Sequence, residues 1–212
     1  MLRGFFWSAS VAALLAIEAG ASAPSGTMVL SVDAANSQVV ILVGKTGLFS
    51  FAGHAHEVVA PSVRGRVVVD PGDPKRDSVS LEFDSSALRV TGKGESAADA
   101  AAVQETMLGE KVLDVSRFPR IAFQSRHVSV AARAVNTAEV TIDGDLTLHG
   151  ATRPVKVQAD VTLEEGNRFT ARGRFSFKQT DFGMVPVTAA GGTIRVKDQL
   201  DVQFVLRGSS AQ

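Results

Sequence analysis

Hydrophobic and polar residues alternate along most of the second half of the chain. In segments 140–148, 155–163 and 169–177, every second residue is apolar or glycine, and the residues between them are mostly charged or hydroxyl-bearing. Segments 78–84 and 194–206 show the same alternation, the latter with one interruption. A period of two is typical of β-strands that turn one face to the core and the other to solvent. The pattern therefore predicts antiparallel strands that share one apolar face.

Short turns connect these segments. Residues 149–152 and 164–167 each contain a glycine, and residues 70–74 contain two prolines and a glycine. Consecutive strands joined by such turns form a meander, and a meander of about eight strands leaves no open edge when it closes on itself. Residues 97–113 are rich in Ala, with Glu and Lys among them, and predict one helix. We predict an all-β fold, an eight-stranded antiparallel up-and-down (lipocalin-like) barrel with one accessory helix.

The N-terminus has the pattern of a secretory signal peptide. Arg3 precedes an apolar stretch at 5–17, and the small residues 21–23 resemble a cleavage site. We predict a signal peptide at 1–23, with cleavage after Ala21 or Ala23, and a barrel domain at 28–208. An uncleaved anchor or a buried first helix is the alternative. The leader predicts a periplasmic protein, or a secreted one in a cell without an outer membrane.

Composition and charge exclude several classes of function. Lys and Arg together number 22, as do Asp and Glu, so the net charge is zero. A neutral chain lacks the positive field that attracts nucleic acid, and no nucleic-acid partner is expected. The chain contains no cysteine, which excludes disulfides, thiolate catalysis and cysteine-ligated metals. Hydrophobic residues make up 45% of the chain, enough for a substantial core.

The apolar strand faces leave two interpretations open. Phe alternates with Gly and Ala on one face of 169–177, and Gly144 lies among Val, Ile and Leu on one face of 140–148. Eight strands enclose a space that side chains can fill, or that one small ligand can occupy. Small residues would leave room for an apolar chain, whereas glycine at barrel bends would allow a packed core. Periodicity alone does not separate the two.

Four motifs resemble those of a known family. The sequence DLTLHGATRPV at 145–155 resembles the signature hairpin of the YceI-like family of lipocalin-like polyisoprenoid-binding barrels. GLFSFAGH at 47–54, VLDVSRFPRIAFQS at 112–125 and TDFG at 180–183 resemble further family segments in the same order. The resemblance implies an exported eight-stranded barrel with a helix alongside. It also implies an apolar tunnel that holds an isoprenoid chain, such as a quinone-like or polyprenyl molecule.

A ligand carrier is therefore the first hypothesis. The chain would hold a polyisoprenoid or other long-chain lipid for transport, storage or stress-related sequestration, without catalysis and without a cofactor. It would have no membrane span after signal removal and could associate as a homodimer. Alternation along the strands assigns the apolar lining to Phe123, Ile142, Leu146, Leu148, Val161, Phe175, Phe177 and Phe204.

Two other functions compete with this hypothesis. His54 and His56 would lie on the same side of a strand with Glu57 beside them, a spacing found in zinc sites, which would fit a metal-dependent hydrolase. No third ligand is evident from the sequence, so we expect no metal. The other alternative is a structural envelope protein whose barrel is filled by its own side chains.

Overall fold

The computed structural model describes residues 26–46, 56–189 and 194–210. The expected signal peptide at 1–23 and the motif at 47–54, including His54, lie outside these residues. Within them, no helix has the length and apolarity needed to cross a membrane.

Most of the described chain is β-strand. The strand segments are β1 (Met28–Val32), β2 (Gln38–Thr46), β3 (His56–Ala60), β4 (Arg64–Val69), β5 (Ser78–Asp84), β6 (Arg89–Val90), β7 (Arg120–Arg133), β8 (Thr137–Leu148), β9 (Ala151–Glu164), β10 (Arg168–Lys178), β11 (Thr188–Ala189) and β12 (Ile194–Ser210). One α-helix, α1, spans Ala97–Leu108. Short 3-10 turns follow β10 and precede β5 and β6.

These segments form a closed antiparallel barrel. The hydrogen-bonded order is β1-β4-β5-β7-β8-β9-β10-β12, and β12 pairs with β1 to close the ring. β12 also pairs with β2, β2 with β3, and β3 with β6, so β1/β2, β3/β4 and β5/β6 are three strands that are each interrupted once. The structure therefore confirms the eight-stranded antiparallel barrel with one helix.

The hairpin between β8 and β9 shows how the sequence sets the register. Its two loop residues, His149 and Gly150, both have positive φ angles, 50° and 73°. Such a two-residue turn matches the twist of the flanking strands. It places Leu148 opposite Ala151 and leads to a continuous register as far as Thr137 opposite Thr162. Every apolar residue of β8 consequently faces the barrel interior.

Helix α1 is shorter than the sequence predicts. The Ser96 side chain caps its first turn by accepting from the Asp99 N–H at 3.1 Å. The helix ends at Leu108 instead of residue 113, because Gly109 turns to an extended conformation while its N–H still bonds to the Glu105 carbonyl. Gln104 attaches the helix to the barrel: its amide accepts from Val90 N–H and donates to the Leu88 carbonyl.

Candidate functional site

The barrel encloses a cavity of about 710 Å³. Apolar side chains line it along its length, and they come from every part of the ring, including Ile41, Val58, Leu81 and Val202. This volume is within the range of small-molecule binding sites, and the predominance of apolar lining is typical of them. The cavity is therefore the candidate site, and the barrel is not filled by its own side chains.

All eight residues assigned to the lining by alternation lie on the cavity wall; they are Phe123, Ile142, Leu146, Leu148, Val161, Phe175, Phe177 and Phe204. Leu146 and Leu148 are buried, with 6% and 5% of their surface exposed. Phe175 and Phe177 also face inward yet are only half-buried, because they border the open space. Contact of these side chains with a ligand stays a prediction.

Two glycines of the wall do not enlarge the cavity. A Cβ atom on Gly144 would lie 2.6 Å from the ring of Phe123, and one on Gly173 would collide with the ring of Phe204. Both Phe residues belong to the neighbouring strand. Each ring therefore covers a glycine and lies along the wall, which differs from the expectation that these small residues simply leave room for a ligand.

Helix α1 covers one end of the cavity, which we call the α1 end. Val103 and Met107 of the helix line the cavity there. Polar residues join them, among them Thr106 of the helix and His56. Another is Gln179, which is 4% exposed and donates to the Lys197 carbonyl at 2.8 Å. The apolar wall thus ends in polar groups beneath the helix.

The opposite end, which we call the hairpin end, is formed by turns. The β4–β5 turn contributes Pro71 and Asp77, and the β7–β8 hairpin contributes Val135 and Asn136. Val135 is 99% exposed at the tip of its hairpin. The Leu163 N–H donates to the Asn136 carbonyl at 2.8 Å and ties this tip to β9. A ligand chain could enter here without passing under α1.

Three of the family-like motifs meet beside the α1 end. His149 Nδ1 lies 3.0 Å from the carbonyl oxygen of Phe182, to which it donates, and its ring packs edge-on against Phe118 at a centroid distance of 5.0 Å. The Phe182 ring in turn contacts Phe177 at 5.3 Å. A Cβ atom on Gly150 would collide with the Phe118 ring, so only glycine fits there. These three motifs therefore pack against one another at this end of the cavity.

The shifted carboxyl groups lie on the outside of the barrel. A hydrogen bond from Lys156 lowers the pKa of Asp143, and the two side chains form an ion pair of 2.9 Å. Burial raises the pKa of Asp198, but hydrogen bonds from the Thr180 N–H and hydroxyl more than offset this and lower it below its ordinary value. Neither Asp143 nor Asp198 lines the cavity, and neither do their partners Lys156 and Thr180. They stabilise strands and turns.

His56 contacts a buried carboxylate through one of its two ring nitrogens. Its Nδ1 lies 2.8 Å from Glu95 Oε1, and the Glu95 side chain is 2% exposed. In the part of the chain that the structure describes, no three His, Cys, Asp or Glu side chains are grouped as a metal site would require. The other histidine of the expected pair, His54, lies outside the described residues. The structure therefore does not test the pair as a unit.

Sequence reasoning missed part of the lining. Val39, Ile41 and Val43 alternate on β2 and all line the cavity, a signal that the same period-two argument finds. Gln179 and Met107 carry no such signal. Gln179 lies in a 3-10 turn, and Met107 reaches the cavity because α1 folds over the barrel end.

Comparison with known proteins identifies the family. The YceI-like domain matches residues 30–207. A UPF0312 protein of Pseudomonas savastanoi pv. phaseolicola is 28% identical over 145 residues, which cover 66% of this chain and 67% of that protein. A similar protein of Pseudomonas syringae pv. tomato shows the same identity over the same length.

Solved structures share the fold. BcnA of Burkholderia cenocepacia matches with a TM-score of 0.61 at 19% identity, covering 83% of this chain and 98% of BcnA. A polyisoprenoid binding domain of Saccharophagus degradans, implicated in plant cell wall breakdown, matches with a TM-score of 0.61 at 14% identity, covering 87% and 99%. With a family domain over nearly all of the barrel and the same fold in these structures, the chain belongs to the YceI-like family.

Proposed function

We propose that this protein is an exported, non-catalytic binding protein that holds a polyisoprenoid or other long-chain lipid in its barrel. The single observation that carries the proposal is the apolar cavity of about 710 Å³ inside one closed barrel. The polyisoprenoid binding domain of Saccharophagus degradans, which has the same fold, supports the ligand class.

The physical chemistry of the cavity favours a long apolar chain. Removing apolar surface from water contributes about 25 cal/mol per Å². A chain lying between Phe175, Leu146 and Val161 would bury its own surface and theirs at the same time. Polar groups are concentrated at the two ends, so a flexible apolar chain with at most a small polar head matches the arrangement.

The two competing functions, a structural barrel and a metal-dependent hydrolase, each require a feature that the lipid-binding function does not. A filled structural barrel does not fit the volume of the cavity. A hydrolase would need His56 to bind a metal through Nε2, since its Nδ1 contacts Glu95, and among the described residues no group of three His, Cys, Asp or Glu side chains is placed to complete such a site. We therefore favour binding over catalysis. Measurement of bound zinc in wild-type protein and in a His54→Ala/His56→Ala variant tests the hydrolase directly, because stoichiometric zinc lost in the variant would support it.

Mass spectrometry of an organic extract tests the proposed function. Protein purified from the exported compartment should release a stoichiometric polyprenyl, quinone or other long-chain lipid. Phe175→Glu places a carboxylate on the cavity wall and should abolish this lipid. Arg174→Glu is the matched control, since Arg174 is the adjacent, exposed residue of β10.

Either of two results would contradict the proposal. One is a clean extract from wild-type protein whose circular dichroism shows a folded barrel. The other is equal lipid content in the two variants. Export is tested in the same preparation, because the intact mass should correspond to a chain that begins at Ser22 or Pro24. A homodimer stays a prediction that light scattering of the purified protein tests.

A further inference from the structure

His56 and Glu95 meet at the α1 end of the apolar cavity, and the strand register places Lys45 near them. Val43 and His56 are directly opposite each other on β2 and β3, and both line the cavity. Lys45 follows Val43 by two residues on the same face of β2, and it lies opposite Val196, another lining residue. Lys45 is therefore a diagonal neighbour of His56 across the strand pair, and a lysine side chain is long enough to span the distance between two diagonal neighbours. Glu95 contacts the His56 ring at 2.8 Å.

Two of these side chains have buried polar atoms that lack a hydrogen-bond partner. These atoms are Lys45 Nζ and Glu95 Oε2. No other buried side-chain nitrogen or oxygen among the described residues lacks a partner. The other oxygen of Glu95 accepts from His56 Nδ1, and the carboxylate as a whole is 2% exposed. Buried donors and acceptors are almost always paired in folded proteins, and charged ones most of all. One strong donor and one strong acceptor thus remain unused next to His56, just behind the residues that line the cavity.

We propose that Lys45 and Glu95 form a head-group subsite for the hydroxyl of a long-chain alcohol. A hydroxyl has two acceptor lone pairs and one donor hydrogen, so it can accept from Lys45 Nζ and donate to Glu95 Oε2. An ester head accepts but does not donate and leaves Glu95 unpaired. A carboxylate or phosphate head brings a negative charge against Glu95. The inference rests on the proposed function and adds the head-group chemistry to it.

Three ligands with one chain separate the inference from the proposed function. Equilibrium dialysis of wild-type protein with geranylgeraniol, geranylgeranyl acetate and geranylgeranic acid measures the effect of the head group at constant chain. We expect the alcohol to bind at least about tenfold more tightly than the acetate or the acid, the usual effect of hydrogen bonds to charged groups. This comparison does not depend on the folding of any variant.

Two variants locate the effect. Lys45→Met and Glu95→Gln should each bring the affinity for geranylgeraniol close to that for the acetate and leave the acetate itself nearly unchanged. Lys156→Met is the matched control, because this lysine is 63% exposed on the outer face of β9. It should preserve the preference for the alcohol. Circular dichroism of each variant shows whether the barrel is intact.

The outcomes are distinguishable. Equal affinity for alcohol and acetate in wild-type protein would overturn the subsite while the proposed lipid binding stands. Tightest binding of the acid would also overturn it, in favour of an anion site at Lys45. Failure of all three ligands to bind would overturn the proposed function together with the subsite.

Discussion

Enlarging one inward side chain tests whether the interior is open. Val140 on β8 lines the cavity and is half-buried, and its direct neighbours across the strands, Val130 and Ala159, are both small. Val140→Phe therefore directs a ring into the cavity. The adjacent residue, Thr141, has nearly the same shape and faces outward. Thr141→Phe is the matched control.

The expected change in the free energy of unfolding has opposite signs for an open and a packed interior. In a packed core, added carbons cost about 1–3 kcal/mol. In an open apolar cavity, each buried CH₂-sized group contributes about 0.8 kcal/mol, so partial burial of the ring of Val140→Phe should raise the free energy of unfolding by roughly 1–2 kcal/mol. The ring also removes ligand contacts. Loss of about 60 Å² of contact corresponds to roughly 1.5 kcal/mol, or about tenfold weaker binding.

Urea unfolding of delipidated protein and dialysis with geranylgeraniol measure the two effects. Val140→Phe should unfold at higher urea than wild type and bind the ligand at least about tenfold more weakly. Thr141→Phe should change the free energy of unfolding by less than about 0.5 kcal/mol and leave binding unchanged. Destabilisation by Val140→Phe with unchanged binding would refute the open interior, and equal effects of the two variants would refute the assignment of faces.

Three further predictions concern the framework around the cavity. Gly173→Ala should lower the free energy of unfolding by about 1–3 kcal/mol. Part of this loss should be recovered in a Phe204→Leu background, because that change removes the ring that covers the glycine. Strict additivity of the two changes in the free energy of unfolding would contradict the contact between them. Asp198→Asn should destabilise the protein at neutral pH in urea unfolding. Because the pKa of Asp198 is lowered in the folded state, its contribution is complete above the ordinary value of 3.8 and disappears as the pH falls through the folded-state value, so the difference from wild type should vanish in strong acid. His149→Ala should increase hydrogen exchange of the 3-10 turn that contains Phe182, and exchange confined to the β8–β9 hairpin would count against the contact.

Alternation predicted the faces of the long strands because it is a local property of the chain. Along β8, β9 and β10 each residue pairs with its neighbour in continuous register, so the side of Phe175 or Leu146 follows from sequence period alone. The predicted end of α1 was wrong because the prediction followed the helix-favouring composition past Gly109, although a glycine at this position commonly ends a helix. Alternation also finds β2 by itself, but it does not show that β1 and β2 are two parts of one strand, because that follows from the pairing of both with β12.

The polar end of the site could not be predicted, because it depends on contacts between distant segments. His56 and Glu95 are 39 residues apart and meet only after β3, β6 and α1 have folded over the barrel end. In the sequence, His56 stands beside His54 and indicates a metal pair. In the structure, the same imidazole holds a buried carboxylate. Nothing in the sequence distinguishes Lys45 from the other six lysines; the strand register that places it opposite Val196 does.

The closed sheet explains how a cavity of this size is compatible with a stable fold. In a closed barrel each strand has a hydrogen-bonded neighbour on both sides, so the backbone is satisfied without help from the interior. Phe123 and Phe204 pack sideways over Gly144 and Gly173, which places apolar contact within the wall and keeps these rings out of the open space. Contacts that a packed core would provide are left for a ligand. Binding should therefore stabilise the protein in proportion to RT ln(1 + [L]/Kd), and the delipidated barrel should unfold at a lower temperature than the loaded one.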